Sequence, residues 1–279
     1  MKEIFDKLSA DCSKMITKRY STSFSLGIYF LSAKLRHPIY AIYGFVRLAD
    51  EIVDSFHDHD KAFLLSKFKR DCFEAIEDGI SLNPVLHSFQ QVVNQYNIDK
   101  LLITLFLDSM EMDLRQEQYT PEKYDQYILG SAQVVGLMCL QVFTDGDKIE
   151  YEKLKDSAMK LGSAFQKVNF LRDVNADFYT LNRTYFPNVD LSSFSNSEKK
   201  QIEEEIEHEF QEALIGIRQL PRSSGNGVYL AYVYYKQLFN KIKRSTAEKV
   251  MSERIRISNT HKFGLMCDSL IRYKMNTIR

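Results

Sequence analysis

Apolar residues recur at intervals of three and four through most of this chain. The pattern predicts helices near residues 4–19, 38–56, 61–78, 84–95, 99–117, 121–143, 148–178, 196–219, 226–250 and 258–275. Punctuation agrees with it: His37-Pro38 opens one helix, Asn83-Pro84 and Thr120-Pro121 start two more, and Asp145-Gly146-Asp147 separates an uncharged stretch from a charged one. The segment from Asn182 to Asn196 reads as loop. No repeat, low-complexity block or Gly/Ser/Pro linker interrupts the series, so residues 1–279 are expected to form one all-α domain, a helical bundle with room for a central cavity.

Composition supports helix: 11 glycines and 5 prolines in 279 residues leave few interior breakers. Lys and Arg total 37 against 37 Asp and Glu, so no net field recommends nucleic acid or an acidic membrane, and any charge-based function must be local. Cys12, Cys72, Cys139 and Cys267 lack metal-type spacing and are expected to be small hydrophobes of a reduced, cytoplasmic protein. The opening residues interleave charge with apolar side chains, unlike a secretory leader. Gln126 to Thr144 is uncharged and long enough to cross a bilayer, but Gln126, Ser131, Gln133, Gln141 and Thr144 fit a helix buried among helices better. The acidic run from Glu198 to Glu209 is expected to be a solvated face.

Candidate chemistry enters with the helix over 38–56. Projected at about 100° per residue, Tyr43, Arg47, Asp50 and Asp54 fall within about 60° of one another. Ala41, Phe45, Leu48, Ile52 and Phe56 take the opposite side, with Val46, Val53 and Tyr40 on the shoulders. A stripe this narrow is a polar seam inside a protein, not a solvated face. Arg47 neutralises only part of the charge of two carboxylates one turn apart, and a hard divalent cation suits the remainder. An Asp-x-x-x-Asp pair recurs by chance in a chain with nineteen aspartates, so the flanks carry the information.

A second stripe repeats the design: Gly162, Gln166, Asn169, Asp173 and Asp177 lie within about 80° on one helix, backed by Ala164, Val168 and Leu171. Two such helices facing one another make a cleft with acidic walls. Magnesium in oxygen coordination joins such walls to a diphosphate, Asn169 offers a neutral oxygen, and Arg47 and Arg172 can contact diphosphate oxygens directly.

These residues resemble the squalene and phytoene synthase family. Tyr43 through Asp54 is similar to its first acidic motif and Gly162 through Asp177 to its second, followed by Arg183-Thr-Tyr-Phe-Pro187. The likeness extends to Tyr20-Ser-Thr-Ser-Phe24, to Asp108-Ser-Met-Glu-Met-Asp113 and to Tyr234-Tyr235. It implies a class I isoprenoid synthase bundle. It also implies substrate contacts from Tyr20, Ser21, Thr22, Ser23, Phe24, Tyr43, Arg47, Gln166, Arg172 and Tyr235. Two or three magnesium ions would lie near Asp50, Asp54, Asn169, Asp173 and Asp177, with Asp50, Asp54, Asp173, Asp177, Tyr43 and Arg47 carrying the chemistry. Gln133 departs from the family pattern where many relatives have glycine, which puts the local pocket shape in question.

The implied reaction is head-to-head condensation of two prenyl diphosphates: geranylgeranyl diphosphate to phytoene, or farnesyl diphosphate to dehydrosqualene or squalene. NADPH would be required only for squalene, and the absence of a Gly-x-Gly-x-x-Gly fingerprint does not bear on it because the family does not use one. Phe24 and Tyr43 are the aromatics most expected to face a cationic intermediate. No dedicated protein partner is implied. Transient peripheral contact with a bilayer is expected from an apolar product, without the C-terminal anchor of eukaryotic squalene synthases. The non-enzymatic alternative is a catalytically inactive helical assembly factor, against which the four aspartates argue. A simple terpene cyclase shares the fold and metals but not these two motifs.

Overall fold

The computed structural model describes residues 1–115, 119–179, 184–187, 189–258 and 264–265. Among them there is no strand, and the helices run α1 (Lys2–Tyr20), α2 (Thr22–Tyr29), α3 (Ala33–Ser55), α4 (Lys61–Asp78), α5 (Pro84–Tyr96), α6 (Lys100–Asp113), α7 (Pro121–Ile128), α8 (Val134–Phe143), α9 (Lys148–Tyr179), α10 (Asn196–Ile217), α11 (Arg222–Lys243) and α12 (Ala247–Ser252). Polar caps set many of the starts. Asn83 accepts from the Val85 N–H at 3.0 Å, Asp99 from Leu101 at 2.8 Å and Asp60 from Phe63 at 2.9 Å. Ser195 and Glu198 form a reciprocal capping box at the start of α10.

Four boundaries differ from expectation. The helix expected from Pro38 opens five residues earlier, at Ala33, and Pro38 sits inside α3, where its missing N–H removes one bond of the ladder. The stretch after Tyr20 is itself helical because Ser21 caps α2, its hydroxyl accepting from the Phe24 N–H at 3.2 Å. The helix expected over 121–143 carries a π-helical segment, Leu129–Gln133, between α7 and α8. The one expected over 226–250 divides at Ser245, where Thr246 caps α12. Arg183, Cys267 and nearly all of the helix expected over 258–275 lie outside the described residues.

Two apolar clusters flank the middle of the bundle. In the first, Phe45 of α3 stacks on Phe89 of α5 at 3.9 Å and lies 5.4 Å from Phe106 of α6. The second joins α9, α10 and α11 through Val168, Leu171, Phe210, Leu238 and Phe239. The Pro121–Phe143 stretch, uncharged from Gln126 onward, is half buried, packed on α6, α9 and α3, as expected of an internal helix. Cys72 is buried, and Cys12 and Cys139 are partly buried.

The acidic run of α10 departs from a fully solvated face. Glu203 and Glu209 are buried because Lys199 and Lys167 reach them, with Lys167 Nζ 2.7 Å from Glu209 Oε1. Burial raises the Glu209 carboxyl above its ordinary range, against the opposing pull of Lys167.

Glycine contacts hold α9 against the π segment. A Cβ on Gly162 would stand 2.6 Å from the Ala132 carbonyl oxygen, a backbone atom that cannot step aside. Gly162→Ala is therefore expected to cost about 1–3 kcal/mol, read as a lower urea midpoint with an unchanged slope.

Candidate active site

Between the two clusters lies a cavity of about 630 Å³. Its polar wall comes from two helices. Tyr43, Arg47, Asp50 and Asp54 line it from α3, and Gln166, Asn169, Arg172, Asp173 and Asp177 from α9. The two stripes read from the sequence thus meet in one cavity because each has its apolar back buried: Ala41, Phe45 and Ile52 behind the first, Ala164, Val168 and Leu171 behind the second. Away from this wall the lining turns apolar, with Ile28, Leu31, Ile39, Val135, Leu161 and Ala213 among its members.

Guanidinium groups thread the carboxylates. Arg47 pairs with both Asp50 and Glu51, and its plane lies over the Tyr20 ring at 4.3 Å. Burial works against the Arg47 charge, but Asp50 and Glu51 outweigh it and hold the group above its ordinary range. Its Nε is buried without a partner, leaving a donor for an incoming anion. Arg172 pairs with Asp173 through two nitrogens, Nε to Oδ1 at 3.0 Å being one contact. Arg254, beyond α12, reaches the same carboxylate with Nε 2.7 Å from Oδ1. Burial also opposes the Arg172 charge, and Asp173 overcomes it.

An aromatic group closes the next layer. The Phe24 ring lies 5.6 Å from Tyr43, 5.7 Å from Tyr235 and 6.2 Å from Phe165, and Phe165 stacks on Tyr235 at 3.9 Å. The Tyr235 hydroxyl donates to Asn169 Oδ1 at 3.3 Å, fixing that amide toward the acidic wall. Burial pushes the Tyr43 hydroxyl up to about 12 and raises Tyr235 as well, so both stay neutral near pH 7.

Tyr20, Ser21, Phe24, Tyr43, Arg47, Gln166, Arg172 and Tyr235 all line the cavity. Thr22 and Ser23 do not. They form the first turn of α2, which leaves Thr22 exposed and Ser23 half-buried outside the wall. Gln133 lines a separate groove with Lys160 and Glu212, while its neighbours Ala132 and Gly162 line the cavity.

Several residues of the site were not singled out from the sequence. Glu51 and Arg254 are charge partners of the predicted set. Asp113 is buried in the cavity wall, where it accepts from the Tyr127 hydroxyl at 2.7 Å and the Tyr185 hydroxyl at 3.2 Å, with Tyr185 stacked on Phe170 at 4.1 Å. Asp113 and Tyr185 both lie in segments that carried the family likeness, and that was the signal available for them. Among the described residues, no three His, Cys, Asp or Glu side chains converge closely enough to form an all-protein metal cage. The donors are hard oxygens in two separate pairs, which suits a cation that keeps waters and shares substrate phosphates.

A helical bundle with two acidic helix faces lining one central cavity has the architecture of the isoprenoid synthases. It superimposes on a crystal structure of a dehydrosqualene synthase in complex with ligand with a TM-score of 0.83, covering 97% of this chain and 98% of that one at 19% identity. The family model for squalene/phytoene synthase matches residues 17–261, and the chain belongs to that family.

Among its relatives, phytoene synthase from Arthrospira platensis is 25% identical over 297 residues, 97% of this chain and 94% of that protein. Phytoene synthase 1, chloroplastic, from Solanum lycopersicum is 26% identical over 268 residues, 87% of this chain, which spans 62% of that protein's length. The 4,4'-diapophytoene synthase of Staphylococcus haemolyticus is 28% identical over 197 residues, covering 67% of this chain and 65% of that protein.

Proposed function

We propose that the chain condenses two molecules of geranylgeranyl diphosphate head to head to give phytoene. One observation carries the reading: both acidic helix faces line the same cavity, whose remaining wall is mostly apolar. From α3 and α9 four carboxylates (Asp50, Asp54, Asp173 and Asp177) line the cavity against three guanidiniums (Arg47, Arg172 and Arg254), with Asp113 a further carboxylate of the lining and Glu51 paired to Arg47 beside it. An anionic substrate entering such a wall calls for added cations. When bound, two or three magnesium ions would link the carboxylates to diphosphate oxygens and stabilise the departing diphosphate.

Asp50, Asp54, Asn169, Asp173 and Asp177 would hold those ions, while Arg47 and Arg172 orient the diphosphate. The allylic C1–O bond of one substrate breaks with its electron pair leaving on diphosphate. The double bond of the second substrate then attacks C1, and loss of one proton gives a cyclopropyl diphosphate. The second C1–O bond breaks in turn, the carbon skeleton rearranges, and a second proton leaves to form the hydrocarbon. Phe24, Tyr43, Phe165 and Tyr235 offer neutral aromatic surface to the cationic stages and exclude water that would trap them as alcohols.

A second reading is supported by the Staphylococcus haemolyticus relative: the same chemistry on farnesyl diphosphate, giving dehydrosqualene, or squalene where NADPH supplies a hydride. Product analysis with each diphosphate, with and without NADPH, separates them. A C40 triene core from the C20 substrate, independent of NADPH, supports the first reading, and turnover confined to the C15 substrate supports the second.

A further inference from the structure

The acidic run of α10 closes on α9 through a buried cluster of charge outside the cavity. Lys167 of α9 is 4% exposed and Glu209 of α10 is 5% exposed. A single carboxylate oxygen, Glu209 Oε1, accepts from the Ser163 hydroxyl and from Lys167 Nζ, both at 2.7 Å. Lys167 also pairs with Glu205, one turn earlier on α10, and its Nζ stands 5.8 Å from the centre of the Tyr124 ring of α7. The two helices run antiparallel, since Ser157, further back on α9, donates to the Glu212 carbonyl oxygen at 3.1 Å.

Stability alone does not explain this cluster. Glu209 Oε2 and the Tyr124 hydroxyl are buried without a hydrogen-bond partner, and each such group costs free energy. A buried ion pair gains little over well-packed apolar side chains of similar volume. The rest of the seam is apolar, with Ala164, Val168 and Leu171 in one cluster with Ile206 and Phe210. Apolar packing sets the distance between two helices, whereas charge-assisted bonds converging on one oxygen also set the angle at which each helix is turned.

That angle matters to the site. Projected at about 100° per residue, Ser163 and Lys167 lie about 100° round α9 from the stripe of Gln166, Asn169, Asp173 and Asp177. Side chains reach about 5–6 Å from a helix axis, so turning α9 by about 20° would carry the stripe sideways by about 2 Å. A displacement of that size is more than a metal and diphosphate site tolerates. Neither Lys167 nor Glu209 lines the cavity, so an effect of either on the chemistry must pass through α9.

We infer that Lys167 and Glu209, flanked by Ser163 and Glu205, are positioning residues that lock the rotation of α9 and so aim Asn169, Asp173 and Asp177 into the cavity. The effect on turnover rests on the prenyl-transfer reading. The placement of the oxygens is read separately, through the affinity for inorganic pyrophosphate and magnesium.

The test is the double variant Lys167→Met, Glu209→Met, which keeps side-chain length and removes both charges together, stranding neither. Its melting temperature is expected to stay within about 2 °C of the parent chain or to exceed it. Turnover should nonetheless suffer, with kcat on the prenyl diphosphate lowered about 10–100-fold and the magnesium concentration for half-maximal rate raised. Calorimetric titration of the full chain in magnesium with inorganic pyrophosphate should show binding weakened about tenfold. Unchanged kcat together with unchanged pyrophosphate affinity in the folded double variant overturns the inference. So does a melting temperature more than about 5 °C below the parent, which assigns the pair to holding the fold together. The pyrophosphate comparison decides even if the parent chain turns over no prenyl diphosphate, a result that strikes the prenyl-transfer reading alone.

Discussion

Asp54→Asn and Asp177→Asn are each expected to lower kcat by about 10²–10³-fold, with melting temperatures within about 2 °C of the parent chain. The substitution keeps shape and one oxygen but removes the charge. Asp54 and Asp177 stand one turn beyond Asp50 and Asp173, whose carboxylates are already engaged by Arg47, Arg172 and Arg254. A cation bridging wall and diphosphate needs the charge of the outer pair as well. The magnesium concentration for half-maximal rate should rise in both variants. An unchanged rate and an unchanged magnesium requirement in steady-state assays would show that the outer aspartates carry no metal.

Arg47→Lys is the second large effect, expected to lower kcat/KM by about 10²-fold. Lysine keeps the positive charge, so a merely electrostatic role would survive the exchange. The guanidinium does more: it spans Asp50 and Glu51, lies flat on Tyr20, and retains a buried Nε with no partner in the protein. An ammonium cannot hold two carboxylates in one plane while offering a further donor. Because the loss concerns diphosphate placement, KM for the prenyl diphosphate should rise together with the fall in kcat.

The acidic stripes were legible in the sequence because they obey one rule, a narrow polar seam on an otherwise apolar helix, and the structure buries the backs of both helices as that rule requires. What the rule could not supply was anything set by tertiary contact. Thr22 and Ser23 stand in a motif segment, yet the Ser21 cap starts a helix there and its first turn carries them away from the wall. Pro38 resembles a helix start, but α3 begins earlier and absorbs the lost hydrogen bond within a well-packed helix.

The π segment at Leu129–Gln133 has no local signature. It accompanies the close approach of Gly162 to the Ala132 carbonyl, a contact between residues thirty positions apart. Arg254 is likewise invisible from spacing, since it meets Asp173 from a segment far along the chain. Asp113 was quoted within its motif but not selected, because only the fold brings Tyr127 and Tyr185 to its two oxygens.

In the proposed reaction one cavity breaks two C–O bonds to diphosphate, the first allylic and the second beside a cyclopropane, and joins the two carbon chains. The most direct test is to incubate the purified chain with magnesium and labelled geranylgeranyl diphosphate, then quantify hydrocarbon and released diphosphate together. A C40 hydrocarbon is expected with two diphosphates released for each molecule formed, and no product without the metal. Release of one diphosphate for each molecule of prenyl alcohol, with no coupled hydrocarbon from either the C20 or the C15 substrate, would contradict it.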